Sequence, residues 1–302
     1  MTQTGPNRTS GRWARAVQFP LSRIVLGLAM VVVPVVAAQW LAHALALARP
    51  YSVLVSALGA CVAAYGGYRA FVRLVEGRRA VAELGAAGAW KEAGAGFVLG
   101  TLLFSATIGV LLLLDVFHVT GGAVGAWSGL VVPLALSLTA GVLEELMFRG
   151  VVFRITEAWL GTWWALAISA VLFGLVHLVG PHATLLGAVS IIFEAGILLG
   201  AAFVLTRRLW LPIGIHVAWN FTQGGIFGVA VSGTPSNGLL RGTLAGPDWL
   251  SGGSFGAEAS IVAVALCMAL AMFLLGAAVQ RDRLVPAPWR RAAQAAAGTG
   301  GA

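Results

Sequence analysis

Two adjacent acids, Glu144 and Glu145, open the segment EELMFRG, and Arg149 follows four residues after Glu145. Further on, Phe173 and His177 stand four apart in VLFGLVH, as do His216 and Asn220 in IGIHVAWN. On a helix, a spacing of four puts both members of a pair on one face. A carboxylate with an imidazole can activate water, and a second imidazole with an amide can donate hydrogen bonds to a developing oxyanion. Together they describe hydrolysis of an acyl bond without a covalent intermediate. Two histidines and a glutamate also match the ligand set of a catalytic zinc site. The HExxH helix that would specify zinc is not in the sequence.

The elements that must position these groups are membrane spans. Of 302 residues, 59% are hydrophobic and only 10% are charged, with a mean hydropathy of +0.90. A soluble domain of this size needs far more charge to cover its surface. At about 20 apolar residues per crossing, spans are expected near 24–48, 52–75, 94–119, 128–153, 161–180, 183–206, 209–230 and 257–280. The fold class is therefore all-α, a polytopic bundle of about eight spans around a polar cavity. The first run is too long for a cleaved signal peptide. GxxxG pairs at Gly96/Gly100 and Gly196/Gly200 hint at close helix crossings. Cys61 and Cys267 lie in apolar runs without a CxxC partner and read as packing residues.

The net charge of +8 does not point to nucleic acid, because the basic residues lie in short loops between apolar runs. With the N-terminus cytoplasmic, 17 of the 19 Lys and Arg fall on the inner side, and only Arg49 and Arg241 fall outside. That split favours an even number of spans with both termini cytoplasmic. Trp159, Trp163, Trp164 and Trp210 cluster at the expected inner borders.

Charged groups inside lipid cost several kcal/mol unless paired or facing a cavity. Glu144 lies ten residues before Arg154, about 15 Å below the interface at the helical rise. Glu145 can pair with Arg149 one turn on, while Glu144 points about 100° away from it. His216 is placed roughly 10 Å deep and Asn220 one turn deeper. The same arithmetic puts His177 deeper than Glu144, so the fifth helix is expected to tilt or begin late. Glu194, within the sixth span, and His182, after Pro181, read as structural residues.

In order, EELMFRG, FGLVH and LWLPIGIHVAWN resemble the EExxxR, FxxxH and HxxxN motifs of the CAAX-protease and bacteriocin-processing family of intramembrane proteases. The resemblance covers roughly residues 129–223. It implies an eight-helix fold with an intramembrane cavity, Glu144 as the base that activates water with help from His177, and His216 with Asn220 as the oxyanion hole. Glu145, Arg149 and Phe173 are implied as supporting residues. The expected organisation is a cytoplasmic tail over 1–23, a bundle over 24–280 with the protease-like core near 129–223, and a cytoplasmic tail over 281–302.

The resulting expectation is a multi-pass cell-membrane endopeptidase without a cofactor, zinc entering only under a metalloprotease reading. Its partners would be membrane lipid and a peptide or protein substrate, not nucleic acid. Two alternatives are a proton- or ion-coupled transporter and a non-catalytic immunity or binding scaffold of the same fold. The first should show an internal repeat, which the sequence lacks. The second should have lost one of Glu144, His177 or His216, and all are present.

Overall fold

The computed structural model describes residues 16–45, 47–48, 51–122 and 127–290. Arg8, Arg12, Arg15, Arg49 and Arg291, which enter the charge count above, lie outside these. The apolar runs form helices α1 Pro20–Ala44, α2 Tyr51–Leu74, α3 Ala89–Leu113, α4 Val131–Leu160, α5 Thr162–Val179, α6 Leu185–Thr206, α7 over 210–226 and α8 Ile261–Gln280. All but α7 are long and apolar enough to cross a membrane, so the chain is an all-α, multi-pass membrane protein. The seventh expected span is the exception. Helix α7 has twelve α-helical residues, Trp210–Phe221, and five π-helical ones, Thr222–Ile226, short of the usual crossing length.

Other boundaries also shift, each for a local reason. Helix α3 stops at Leu113, and Asp115, at φ 58°, turns the chain into strand β1, Phe117–Gly122. This strand pairs antiparallel with β2, Leu240–Leu244, in the excursion between α7 and α8. Helix α4 runs past Arg154 to Leu160 because the charge of Arg154 is met by Glu76 and Glu83. Helix α5 does not begin late. It starts directly after Gly161, whose φ of 87° makes a one-residue turn; a Cβ there would come within 2.8 Å of the Ala287 nitrogen.

Helix α3 lies along α7 at backbone contact. A Cβ on Gly96 or Gly100 would meet the carbonyl oxygens of Leu211 and Ile215 at 2.4 Å. The first GxxxG pair therefore marks a helix crossing, and that crossing fixes the helix carrying His216 and Asn220. Around the bundle, large apolar side chains such as Val62, Leu113 and Phe273 are exposed, as lipid-facing residues are.

At the Arg154 end, acids and guanidiniums from three elements interlock. Glu76 pairs with Arg23 and Arg78 and lies 2.8 Å from Arg154. Glu83 accepts from Arg78 at 2.7 Å and from the Tyr68 hydroxyl at 2.5 Å. Burial works against both charges, but Arg154 with Arg23 at Glu76, and Arg78, Tyr68 and Arg154 at Glu83, hold both carboxyls below their usual range. Depressed carboxyls lend stability above their unfolded pKa of about 4.3, and lose it as pH falls through the folded value. Thermal stability in detergent should therefore fall on acidification below about pH 4, and Glu76→Gln should shrink that acid sensitivity. An acid profile identical in wild type and variant would show that the network does not carry it.

Candidate active site

Helix α4 changes winding where its charges sit: Leu146–Phe153 is π-helical. Such turns occur mostly as single insertions and often mark functional sites. Arg149 is completely buried there, with both Nη atoms paired and Nε without a hydrogen-bond partner among the described residues. Its Nη1 donates to Glu145 Oε1 at 2.8 Å, and its Nη2 donates to the carbonyls of Ala195 and Gly196 at 2.9 and 3.1 Å. The Phe173 ring lies under the guanidinium, 4.6 Å away. Phe173 thus links FxxxH to EExxxR by packing.

Glu145 bridges to α7 through the same oxygen, 3.0 Å from His216 Nδ1. With Nδ1–H donating to the carboxylate, the other ring nitrogen of His216 is left for the site. It lies 3.8 Å from Glu144 Oε2, a buried oxygen that has no hydrogen-bond partner among the described residues. Glu144 and Glu145 therefore meet opposite edges of one imidazole. The 100° offset between the two acids is what allows this.

His177 sits at the end of α5 with Nδ1 2.7 Å from the Phe173 carbonyl, leaving Nε2 free. A cavity opens between α5, α6 and α7 under the excursion that carries β2. Its polar lining comes from His177, Glu194, His216, Asn220, Ser232 and Glu258, and its interior has room for a water. Three of the expected site residues, His177, His216 and Asn220, share this cavity. Glu144 is not in its lining and reaches the group through His216. Among the described residues, no three His, Cys, Asp or Glu side chains are arranged to hold a metal ion.

Residues 125–222 match the model of a family described as type II CAAX prenyl endopeptidase Rce1-like. The core of the chain is similar to that family over about a third of its length. The matched segment begins just ahead of α4 and ends two residues after Asn220, so it contains all three motifs. The chain is also 32% identical over 92 residues to "Putative membrane peptidase YdiL" of Bacillus subtilis (strain 168). That alignment covers 30% of this chain and 35% of the relative, so the chain matches about a third of that relative's length. No solved structure matches the chain. The Rce1-like segment holds every residue of the Arg149–Glu145–His216–Glu144 contacts, while α1–α3 and α8 lie beyond it.

Two cavity residues escaped the sequence reading. Glu194, expected to be structural, lies on a second π-helical stretch, Ile192–Ile197, and faces the cavity. Glu258 lies outside the Rce1-like segment, in a short 3-10 turn, Ala257–Ala259, before α8. The signal for it was available: an acid inside the apolar run read as the last span is a site candidate by default.

Proposed function

We propose that the chain is an intramembrane endopeptidase that hydrolyses a peptide bond by activated water. The carrying observation is the ordered contact from Arg149 through Glu145 to His216, with Glu144 at the far imidazole edge and His177 and Asn220 in the adjoining cavity. At 3.8 Å, Glu144 Oε2 and His216 Nε2 can both reach one water at about 2.8 Å, closing a triangle. Glu144 takes a proton from that water as its oxygen attacks the carbonyl carbon, and His177 Nε2 steadies the water from the cavity side. The negative charge that develops on the carbonyl oxygen is met by the Asn220 amide and by His216 as the imidazolium, its Nδ1–H on Glu145 and its Nε2–H on the oxygen. Glu145 keeps His216 oriented, and Arg149 holds Glu145 in place through their 2.8 Å contact.

A resident metal does not fit these groups as they stand. The Nδ1 contacts of His216 and His177 leave both Nε2 atoms open, but no three-ligand cluster forms among the described residues. The test uses proteoliposomes of the purified chain with membrane-inserted peptides, with cleavage read by mass spectrometry in isotopically labelled water. One label should enter the new C-terminus, and a chelator should leave turnover intact. In the same assay, Asn220→Ala should slow turnover by the loss of one oxyanion donor, on the order of 100-fold. Loss of activity on chelation, restored by zinc, would replace the glutamate reading with a metal-dependent one.

The excess of Lys and Arg at the Arg154 end supports a cytoplasmic location for that end and both termini, with the β1–β2 sheet on the outer side of the cell membrane. Reporter fusions at residues 122 and 235 should read external, and a fusion after 290 internal. A C-terminus on the outside would overturn this orientation.

A further inference from the structure

The Rce1-like mechanism uses Glu144 and Glu145, yet the cavity itself is lined by two other acids. Glu194 enters from α6 and is 3% exposed, and Glu258 enters from the 3-10 turn before α8 and is 1% exposed. Each lies within electrostatic reach of the other. Their surroundings differ sharply. Glu258 accepts the Ser232 backbone N–H at 2.5 Å and is faced by the side chains of Trp219 and Gln223. Glu194 Oε2 is buried with no hydrogen-bond partner among the described residues. The other titratable groups that face the pair are Arg149, whose donors go to Glu145 and two carbonyls, His177 and His216 across the cavity, and Cys267 on α8.

Two carboxylates on one small cavity repel, and a buried charge without donors is costly. Glu258 accepts a backbone N–H, whereas Glu194 Oε2 accepts nothing among the described residues. We infer that Glu194 and Glu258 hold one proton between them, carried on Glu194, and that this proton is delivered to the leaving amine. The second half of this inference rests on the peptidase reading. In balance, Glu144 removes a proton from water as the C–O bond forms. The C–N bond then breaks, its electron pair stays on nitrogen, and Glu194 protonates that nitrogen. The proton on Glu144 returns to Glu194 through cavity water, and one water has been added across the peptide bond. Burial pushes the Glu258 carboxyl up to about 7, so the pair takes its second proton just below neutrality.

Infrared difference spectra of the full-length protein in nanodiscs test the shared proton without any substrate. At mildly alkaline pH, above the Glu258 midpoint of about 7, wild type minus Glu194→Gln should show a protonated-carboxyl carbonyl band. Wild type minus Glu258→Gln should show carboxylate bands. Carboxylate bands in the Glu194 difference would overturn the assignment. The transfer step is tested with one peptide made as its amide and as its p-nitrophenyl ester, whose leaving group needs no proton. Glu194→Gln should lower the amide-to-ester rate ratio on the order of 100-fold; a ratio equal to wild type would refute the general-acid role. Wild type that cleaves neither compound would remove the peptidase reading and leave the infrared result standing.

Discussion

Glu144→Gln is expected to lower peptide hydrolysis on the order of 100- to 10,000-fold while leaving the protein folded, because the amide keeps the shape of the side chain and loses only its basicity. The fold should tolerate the change. Glu144 is partly exposed, its Oε2 has no hydrogen-bond partner to lose, and its contact with His216 is 3.8 Å, beyond hydrogen-bond range. Matched detergent melting curves and matched gel-filtration profiles are the control. A well-folded variant that cleaves a verified substrate at the wild-type rate would remove Glu144 from the chemistry and direct attention to His177.

Its neighbour should behave in the opposite way. Glu145→Gln removes the counter-charge from a completely buried guanidinium and a carboxylate acceptor from His216. Breaking a buried pair by one partner typically costs about 3–5 kcal/mol, a large part of the stability of an ordinary domain. The variant should be recovered in low folded yield, with a depressed melting temperature and little activity. Arg149→Met, which withdraws the charge and keeps much of the volume, should be less harmful when combined with Glu145→Gln than either change alone. Additive losses in that double variant would mean that the two residues are not coupled, despite their 2.8 Å contact. The two adjacent acids are thus separable by experiment: one loses turnover, the other loses the fold.

The i,i+4 rule read the Glu145–Arg149 pair correctly, because both residues lie on one stretch of helix and their relation is local. Seven of the eight expected spans were legible for the same reason, since hydropathy over 20 residues is a property of the segment itself, whereas α7 falls short of crossing length. What the sequence did not display was winding. Nothing in LMFRGVVF or IFEAGI distinguishes a π-helical stretch from an α-helical one. Depth arithmetic with a uniform rise therefore left His177 out of register with Glu144. The role of Glu258 was hidden for another reason. Its partners Ser232 and Glu194 are 26 and 64 residues away in the chain, and no periodicity links residues brought together by a loop. The intact motif trio was sufficient to find His177, His216 and Asn220 around one cavity, but not to show that Glu144 approaches it only through His216.

The wide winding of α4 also sets the angular phase of everything after it. In an α-helix each residue advances the chain by about 100° around the axis. Removing one residue from Leu146–Phe153 with the winding otherwise unchanged would swing Arg154 by close to that angle, away from Glu76 and Glu83, while Glu145 stayed on His216. The catalytic end of the helix and its ion-paired end are therefore tied by residue count as much as by residue identity. Substitutions along α4 sample each end separately, whereas a single-residue deletion between them strikes the phase relation that both ends share.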